Sequence, residues 1–259
     1  MKLLLALVAV LMVARGVLAC SIAENTVLDA LQRDIKTSIE NPGATSVVDF
    51  QYVSPACKAW SQKPEYGLVV KPYVYQTRTD SQRYFGMVAA VVSERTGNVV
   101  GAINDRQLMV VDAIEPNAIS VDTANYAISP GNLAFGVRTQ RQNHSSAVPV
   151  REELMSMYAL EQGRLRKVVD ALVMSSDNGE GGAGCDFSGI MSSSTLDVLK
   201  TMNNGHFDLR VRVKKNRTRF KRAGTQCTLT KLPLMTHDYI LRFNGTSYEI
   251  PKYLQGAIN

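Results

Sequence analysis

The chain has 259 residues, of which 45% are hydrophobic and 20% charged, with 29 basic against 23 acidic side chains. That is the composition of an ordinary globular protein, long enough for one large or two small domains. No run of eighteen apolar residues occurs, which excludes a conventional membrane-spanning helix.

The first segment reads as a signal peptide. Met1 and Lys2 precede an unbroken apolar run over 3–14, which Arg15 ends. At about 1.5 Å rise per residue, that run reaches roughly 18 Å, short of a hydrocarbon core of about 30 Å. Export is therefore expected, with 1–19 removed. Val17-Leu18-Ala19-Cys20 resembles the bacterial lipobox, which makes Cys20 a candidate lipid-attachment site. Leu18 departs from that motif, which prefers a small residue there. Val17 with Ala19, and Ser21 with Ala23, also fit ordinary signal peptidase, so acylation and plain cleavage both stay open. The location read from this is the periplasm, or an outer-membrane-associated lipoprotein in a bacterium, and otherwise the secreted fraction. The sequons at Asn143, Asn216 and Asn244 are read as incidental in a bacterial chain.

An amphipathic helix is expected over 25–40, with Val27, Leu28, Leu31, Ile35 and Ile39 on one face and Asn41-Pro42-Gly43 ending it. Beyond it the pattern turns to β. Val48, Phe50 and Tyr52 alternate; 68–75 and 84–92 are rich in valine and tyrosine. A turn at 94–98 joins 88–92 to 99–103, and 107–114 supplies the next strand. Pro130-Gly131-Asn132 leads into 133–139, followed by 154–160, a reversal at Gln162-Gly163, and 165–174, whose apolar spacing suits a strand or a helix. Residues 177–184 are glycine-dense and expected to be a loop and the best internal boundary. Strands follow at 195–199, 207–213, 227–232, 239–243 and 247–250, the last two joined by a type I′ turn at Asn244-Gly245. The expected fold is mainly β: antiparallel meander, sandwich-like or partly propeller-like sheets with one N-terminal amphipathic helix. The division is 1–19 signal peptide, 20–176 helix plus β-rich region, and 185–259 C-terminal β region, which either stands alone or continues the preceding part.

Export permits disulfides, and the chain has four cysteines, Cys20, Cys57, Cys185 and Cys227. A Cys185–Cys227 bridge is preferred; closing a loop of about forty residues, it is worth roughly 4 kcal/mol in the chain-entropy model. Loss or acylation of Cys20 would leave Cys57 as the odd thiol.

Asn204-Gly205-His206-Phe207-Asp208-Leu209-Arg210-Val211 and the run from Tyr239 to Tyr248 resemble hairpin phrases of uncharacterised exported bacterial proteins, distantly similar to FG-GAP repeats. The resemblance covers about sixty residues and implies β-hairpins, with no shared chemistry to transfer. Calcium-binding repeats of that kind carry aspartate-rich loops, whereas this turn has Asn203, Asn204 and His206.

Catalytic footholds are few. His144, His206 and His237 are dispersed, and no serine-hydrolase, metalloprotease or phosphate-loop motif is present. Metal-site spacing is absent, and no cofactor is expected. Asp177 and Glu180 lack the alternating oxygen ligands of a calcium loop. Cys57 beside Lys58 is read as structural rather than as an activated thiol, and Tyr66, Tyr73, Tyr75 and Tyr84 as sheet packing rather than a sugar platform.

Charge is the sharpest feature. Arg210, Arg212, Lys214, Lys215, Arg217, Arg219, Lys221 and Arg222 lie within thirteen residues that contain no acid. Without 1–19 the chain carries 27 basic and 23 acidic groups, a net +4; without these eight cations the rest is −4. Strand alternation sets Arg210, Arg212 and Lys214 on one face and Leu209, Val211 and Val213 on the other. The competing structural reading is a solvated hairpin whose charges guard a sheet edge. The functional reading is a non-enzymatic exported protein that binds an anionic envelope component or an acidic protein, since arginine's fork suits phosphate and carboxylate. Nucleic acid is disfavoured by the compartment and by a single interleaved aromatic, Phe220; contact with a membrane is expected only through a lipid anchor. Two alternatives are an immunity or inhibitor protein against an exported toxin, and a hydrolase in which Cys57, His206 or His237 converge.

Overall fold

A computed structural model describes residues 47–49, 51–76, 81–181, 187–224 and 226–256, with Asp29, Gln32, Arg33 and Cys185. The segment 1–19, Cys20, and nearly all of the helix expected over 25–40 lie outside the described residues. The expected β class is found: all strand pairings are antiparallel, and the sheets do not close into a barrel.

The first sheet contains β1 (Val47–Asp49), β2 (Ala56–Ala59), β3 (Tyr66–Gln76), β4 (Arg83–Ser93) and β5 (Val99–Val111). The second has eight strands: β6 (Glu115–Ser129), β7 (Asn132–Gln142), β8 (Val150–Glu161), β9 (Arg164–Gly181), β10 (Phe187–Asn203), β11 (His206–Ala223), β12 (Gln226–Lys231) and β13 (Met235–Leu241). β6 to β11 form a meander in chain order, and β12 and β13 follow one another along the far edge of β11.

These sheets make three layers. Trp60, Leu68, Phe85, Met87 and Val91 of the first sheet pack on Phe135, Val137 and Tyr158 of the second. The opposite face of the same central strands, with Ile128, Met155, Met157, Val169 and Leu172, packs on Leu209, Val211, Leu241 and Phe243. The second sheet therefore curls until its far half covers its own middle. Being sandwiched explains why Leu154 to Ala159 of β8 are buried without alternation, as in any strand covered on both faces. At about 25 cal/mol per Å2, each such Leu or Met stabilises the fold by about 1.5–3 kcal/mol.

A bulge in β9 helps the curl. Val169 stands opposite Met157 and Leu172 opposite Met155, so two residues face one. Ala171 is left-handed there, at φ 51°; its N–H donates to Ser156 Oγ at 3.1 Å, and its carbonyl accepts the Gly256 N–H at 2.7 Å. A strap over 244–256 thus lies along the edge that β10 leaves: Tyr248 N–H donates to the Val168 carbonyl at 2.8 Å, and Gln255 bridges Leu172.

Several sequence expectations are corrected. The two strands read at 99–103 and 107–114 are one strand, β5, bulged where Met87 faces Asp105 and Phe85 faces Met109. The strand β6 lies where the sequence pattern predicts none. The ambiguous 165–174 is strand. The glycine-dense segment is not simply a loop: β9 runs to Gly181, and Gly179 pairs with Gly189, so the eight-stranded sheet passes through the expected boundary. Glycine fits here because the Phe187 ring occupies the space of a side chain at 179. The type I′ geometry falls at Asn204 (φ 47°) and Gly205 (φ 78°), between β10 and β11, whereas Asn244 makes a side-chain-capped turn, its Oδ1 accepting from Thr246 and Ser247.

Candidate anion-binding site

The register of β11 decides the fate of its cations. On the outer face, Arg210 stands directly across from Asp197 of β10, and Arg212 from Asp238 of β13. Both are neutralised: Arg210 Nη2 lies 2.7 Å from Asp197 Oδ2, and Arg212 makes a two-point pair with Asp238 at 2.8 and 2.9 Å. Hydrogen bonding and charge from Arg212 hold the Asp238 carboxyl below its ordinary range, and the same pair raises Arg212. These exposed pairs fix register more than they stabilise.

The inner face is different. Lys215 lies between Ser192 and Met235, Arg217 has Ile190 on one side and on the other accepts the Leu232 N–H at its backbone carbonyl, and Arg219 lies between Ser188 and Thr230. Lys221 faces Thr228. No carboxylate stands opposite any of the four, and none has an ion pair among the described residues. Alternate residues of a strand sit about 6.8 Å apart, so these cations form a column along one face. Of the other members of the sequence run, Lys214 is exposed and opposite Ser193 and Thr236, and Arg222 is opposite Cys227.

The column opens at its Lys215 end into a cleft of about 560 Å3 beneath the curled sheet. Its inner wall is a cross-strand row: Arg141, Glu152, Ser176, Ser192 and Lys215 are successive register partners over five strands. Buried Arg141 and half-buried Glu152 are paired at 2.6 Å, and Ser176 Oγ lies 2.7 Å from Ser192 Oγ. Asn178, paired with Ile190 in the next row, carries a buried Oδ1 that no protein group satisfies. The strap supplies the remaining wall with Lys252, Tyr253 and Leu254, and the Tyr253 ring lies 5.2 Å from that of Tyr239. Desolvation, then Tyr239, raises the Tyr253 hydroxyl.

The arm that carries the column is stitched at its tip. Cys185, just before β10, is disulfide-bonded to Cys227 of β12 with a Cα–Cα distance of 5.2 Å, as expected. The Phe187 and Phe220 rings meet edge-on beside it at 6.1 Å.

Other candidate residues lie apart. Cys57 is disulfide-bonded and packs on Val69, Ala90 and Val92 of the first sheet. His206 stacks on Phe243 at 3.7 Å, 3.8 Å from Glu161, at the hairpin end of β11. His237 alone of the three proposed hydrolytic residues lines the cleft, so they do not converge. His144 is exposed. Asp177 and Glu180 sit in β9 rather than in a loop. Tyr73 and Tyr75 are buried, and Tyr73 donates to Asn104 Oδ1 at 2.6 Å, which is the packing role expected. Sequence reasoning missed the serines, Asn178, Lys252 and Tyr253: strand pairing brings the serines and Asn178 to the cleft, and the short 3-10 turn of the strap brings Lys252 and Tyr253. No helix among the described residues is long and apolar enough to cross a membrane. No family model, curated protein or solved structure matches the chain.

Proposed function

We propose that this is an exported, non-enzymatic protein that binds an anionic component of the cell envelope through the inner face of β11. The observation that carries the reading is the sorting of charge by register. Arg210 and Arg212 meet carboxylates, while Lys215, Arg217, Arg219 and Lys221 meet serine, threonine or apolar partners. Cations about 6.8 Å apart repel one another by about 0.6 kcal/mol per neighbouring pair even at the dielectric constant of water, so an anion along the column relieves a standing cost. The charged start and short apolar run of 1–14 support export.

The test is co-sedimentation of the mature protein with phosphatidylglycerol or phosphatidylcholine vesicles at low and physiological salt, its N-terminus read by mass spectrometry. Preference for the anionic vesicles is expected, weakening with salt. Each basic group near such a surface contributes about 1 kcal/mol, so changing Lys215, Arg217, Arg219 and Lys221 to Ser lowers affinity at least about tenfold, whereas Arg212→Ser changes it less than about twofold. Unaltered, salt-insensitive binding by the quadruple variant overturns the reading. A mature chain that keeps Met1 removes export.

A further inference from the structure

We infer that the cleft takes one anionic amphiphile, its acidic headgroup held by Lys215, Arg217 and Lys252 and its hydrocarbon lying over Ile190, Met235 and Tyr253. The inference rests on the anion-binding reading and names the ligand class. Its ground is the pairing of free cations with bare apolar surface in one place. Ile190 is 39% exposed, Met235 38% and Tyr253 66%, and all three line the cleft with the cations. Leu232, 46% exposed, extends the same surface beside Arg217.

A purely inorganic anion leaves this apolar rim wet, and a neutral hydrocarbon leaves the cations uncompensated. A molecule with both parts answers both. The cleft volume of about 560 Å3 falls within the range of about 300–1,000 Å3 typical of small-molecule sites. The interior adds a third requirement. Asn178 Oδ1 is a buried acceptor without a partner, and buried acceptors are almost always satisfied. With Ser176 and Ser192 bonded to each other and Ser194 donating to the Val173 carbonyl at 3.0 Å, the unmet need is for a donor. A headgroup that carries a hydroxyl beside its phosphate or carboxylate supplies one. Of the acids along these rows, Glu152, in the row of Lys215, is already paired with Arg141, and Glu180, in register with Ser188, stands two strands, about 10 Å, from Arg219.

The experiment is calorimetric titration of the intact protein with dodecyl phosphate below its micelle concentration, inorganic phosphate, dodecyl maltoside, and phosphatidylglycerol vesicles. Dodecyl phosphate is expected to bind one to one, at least about tenfold tighter than inorganic phosphate, as expected for burying several methylenes, with no saturable binding of the maltoside. Ile190→Ser with Met235→Ser, both at exposed positions, narrows that preference to under about threefold and leaves phosphate binding unchanged. Lys215→Ser with Arg217→Ser removes both. Phosphate binding as tightly as dodecyl phosphate overturns the amphiphile and leaves the anion-binding reading standing. Equal binding of the maltoside, or binding of vesicles without binding of the monomer, also overturns it. Failure of every anionic probe removes both readings.

Discussion

The central strands and the arm treat positive charge in opposite ways. In the centre, Arg138 is clamped between Asp122, at 2.6 Å, and Glu153; Lys167 lies between Asp105 and Asp170, at 2.9 and 2.8 Å. The Tyr158 hydroxyl, wholly buried, also donates to Asp105 at 2.7 Å, which ties β8 to β5 of the first sheet. In the arm, four cations share a face with no acid opposite. The difference follows from burial. A cation shut between layers must be paired or it would cost several kcal/mol, whereas one on an exposed ribbon costs little unpaired and stays available to a ligand.

The largest expected effect sharpens that contrast by loosening only the arm. Changing Cys185 and Cys227 to Ser removes a crosslink spanning 42 residues, worth roughly 4 kcal/mol by loop length. Hydrogen exchange is expected to accelerate in β12 and the adjoining parts of β10 and β11, with β7 and β8 unchanged. Equal acceleration in β8 would show that the layers unfold as one unit. Next comes Arg138→Met, which strands two partly buried carboxylates. Scaled down from fully buried pairs because these side chains are 16–25% exposed, the loss is roughly 2–4 kcal/mol in urea unfolding. Arg217→Ser in the arm is expected to stay within about 0.5 kcal/mol. Similar losses at the two sites would break the comparison.

A smaller effect depends on pH. Burial raises the Asp122 carboxyl, but the Ala124 N–H, the Arg138 guanidinium and the Tyr126 hydroxyl outweigh it, so the group sits below its ordinary range. A depressed carboxyl stabilises the fold above its unfolded value near about 4, and that contribution is lost as pH falls through the lower folded value. Asp122→Asn is therefore expected to cost about 1–2 kcal/mol at neutral pH and progressively less below about pH 4, measured by urea unfolding across that range. A constant cost at all pH values would assign the loss to packing instead.

Much of the β pattern could be read from the chain because valine and tyrosine runs mark β3 and β4 directly. β6 escaped because its residues are chosen for ion pairs and turns as much as for burial: Asp122 serves Arg138, and Ala124 N–H folds back onto Asp122. The strand through Gly179 escaped because its glycine answers to a ring, Phe187, that strand pairing rather than sequence adjacency brings to it. The basic run itself was plain, and so was the alternation of its first half. What composition does not carry is which of its members face Asp197 and Asp238. That is set by strand register: beyond the turn at Asn204-Gly205 an irregularity between Val198 and Met202 shifts β10 so that Asp197 meets Arg210, β13 brings Asp238 to Arg212, and the pairing of β9 with β10 gathers Ser176, Ser192 and Asn178 at the cleft.

The two-residue period of β11 has a consequence for how such a surface changes over generations. Arg210 and Arg212 answer to neighbours within the fold, while the odd-numbered Lys215, Arg217, Arg219 and Lys221 have no carboxylate opposite them. Selection for a sound structure and selection for the proposed ligand then fall on successive halves of one strand, so either can drift without disturbing the other. An inserted residue between Val213 and Lys214 would turn the four to the outer face and leave Arg210 and Arg212 where they are.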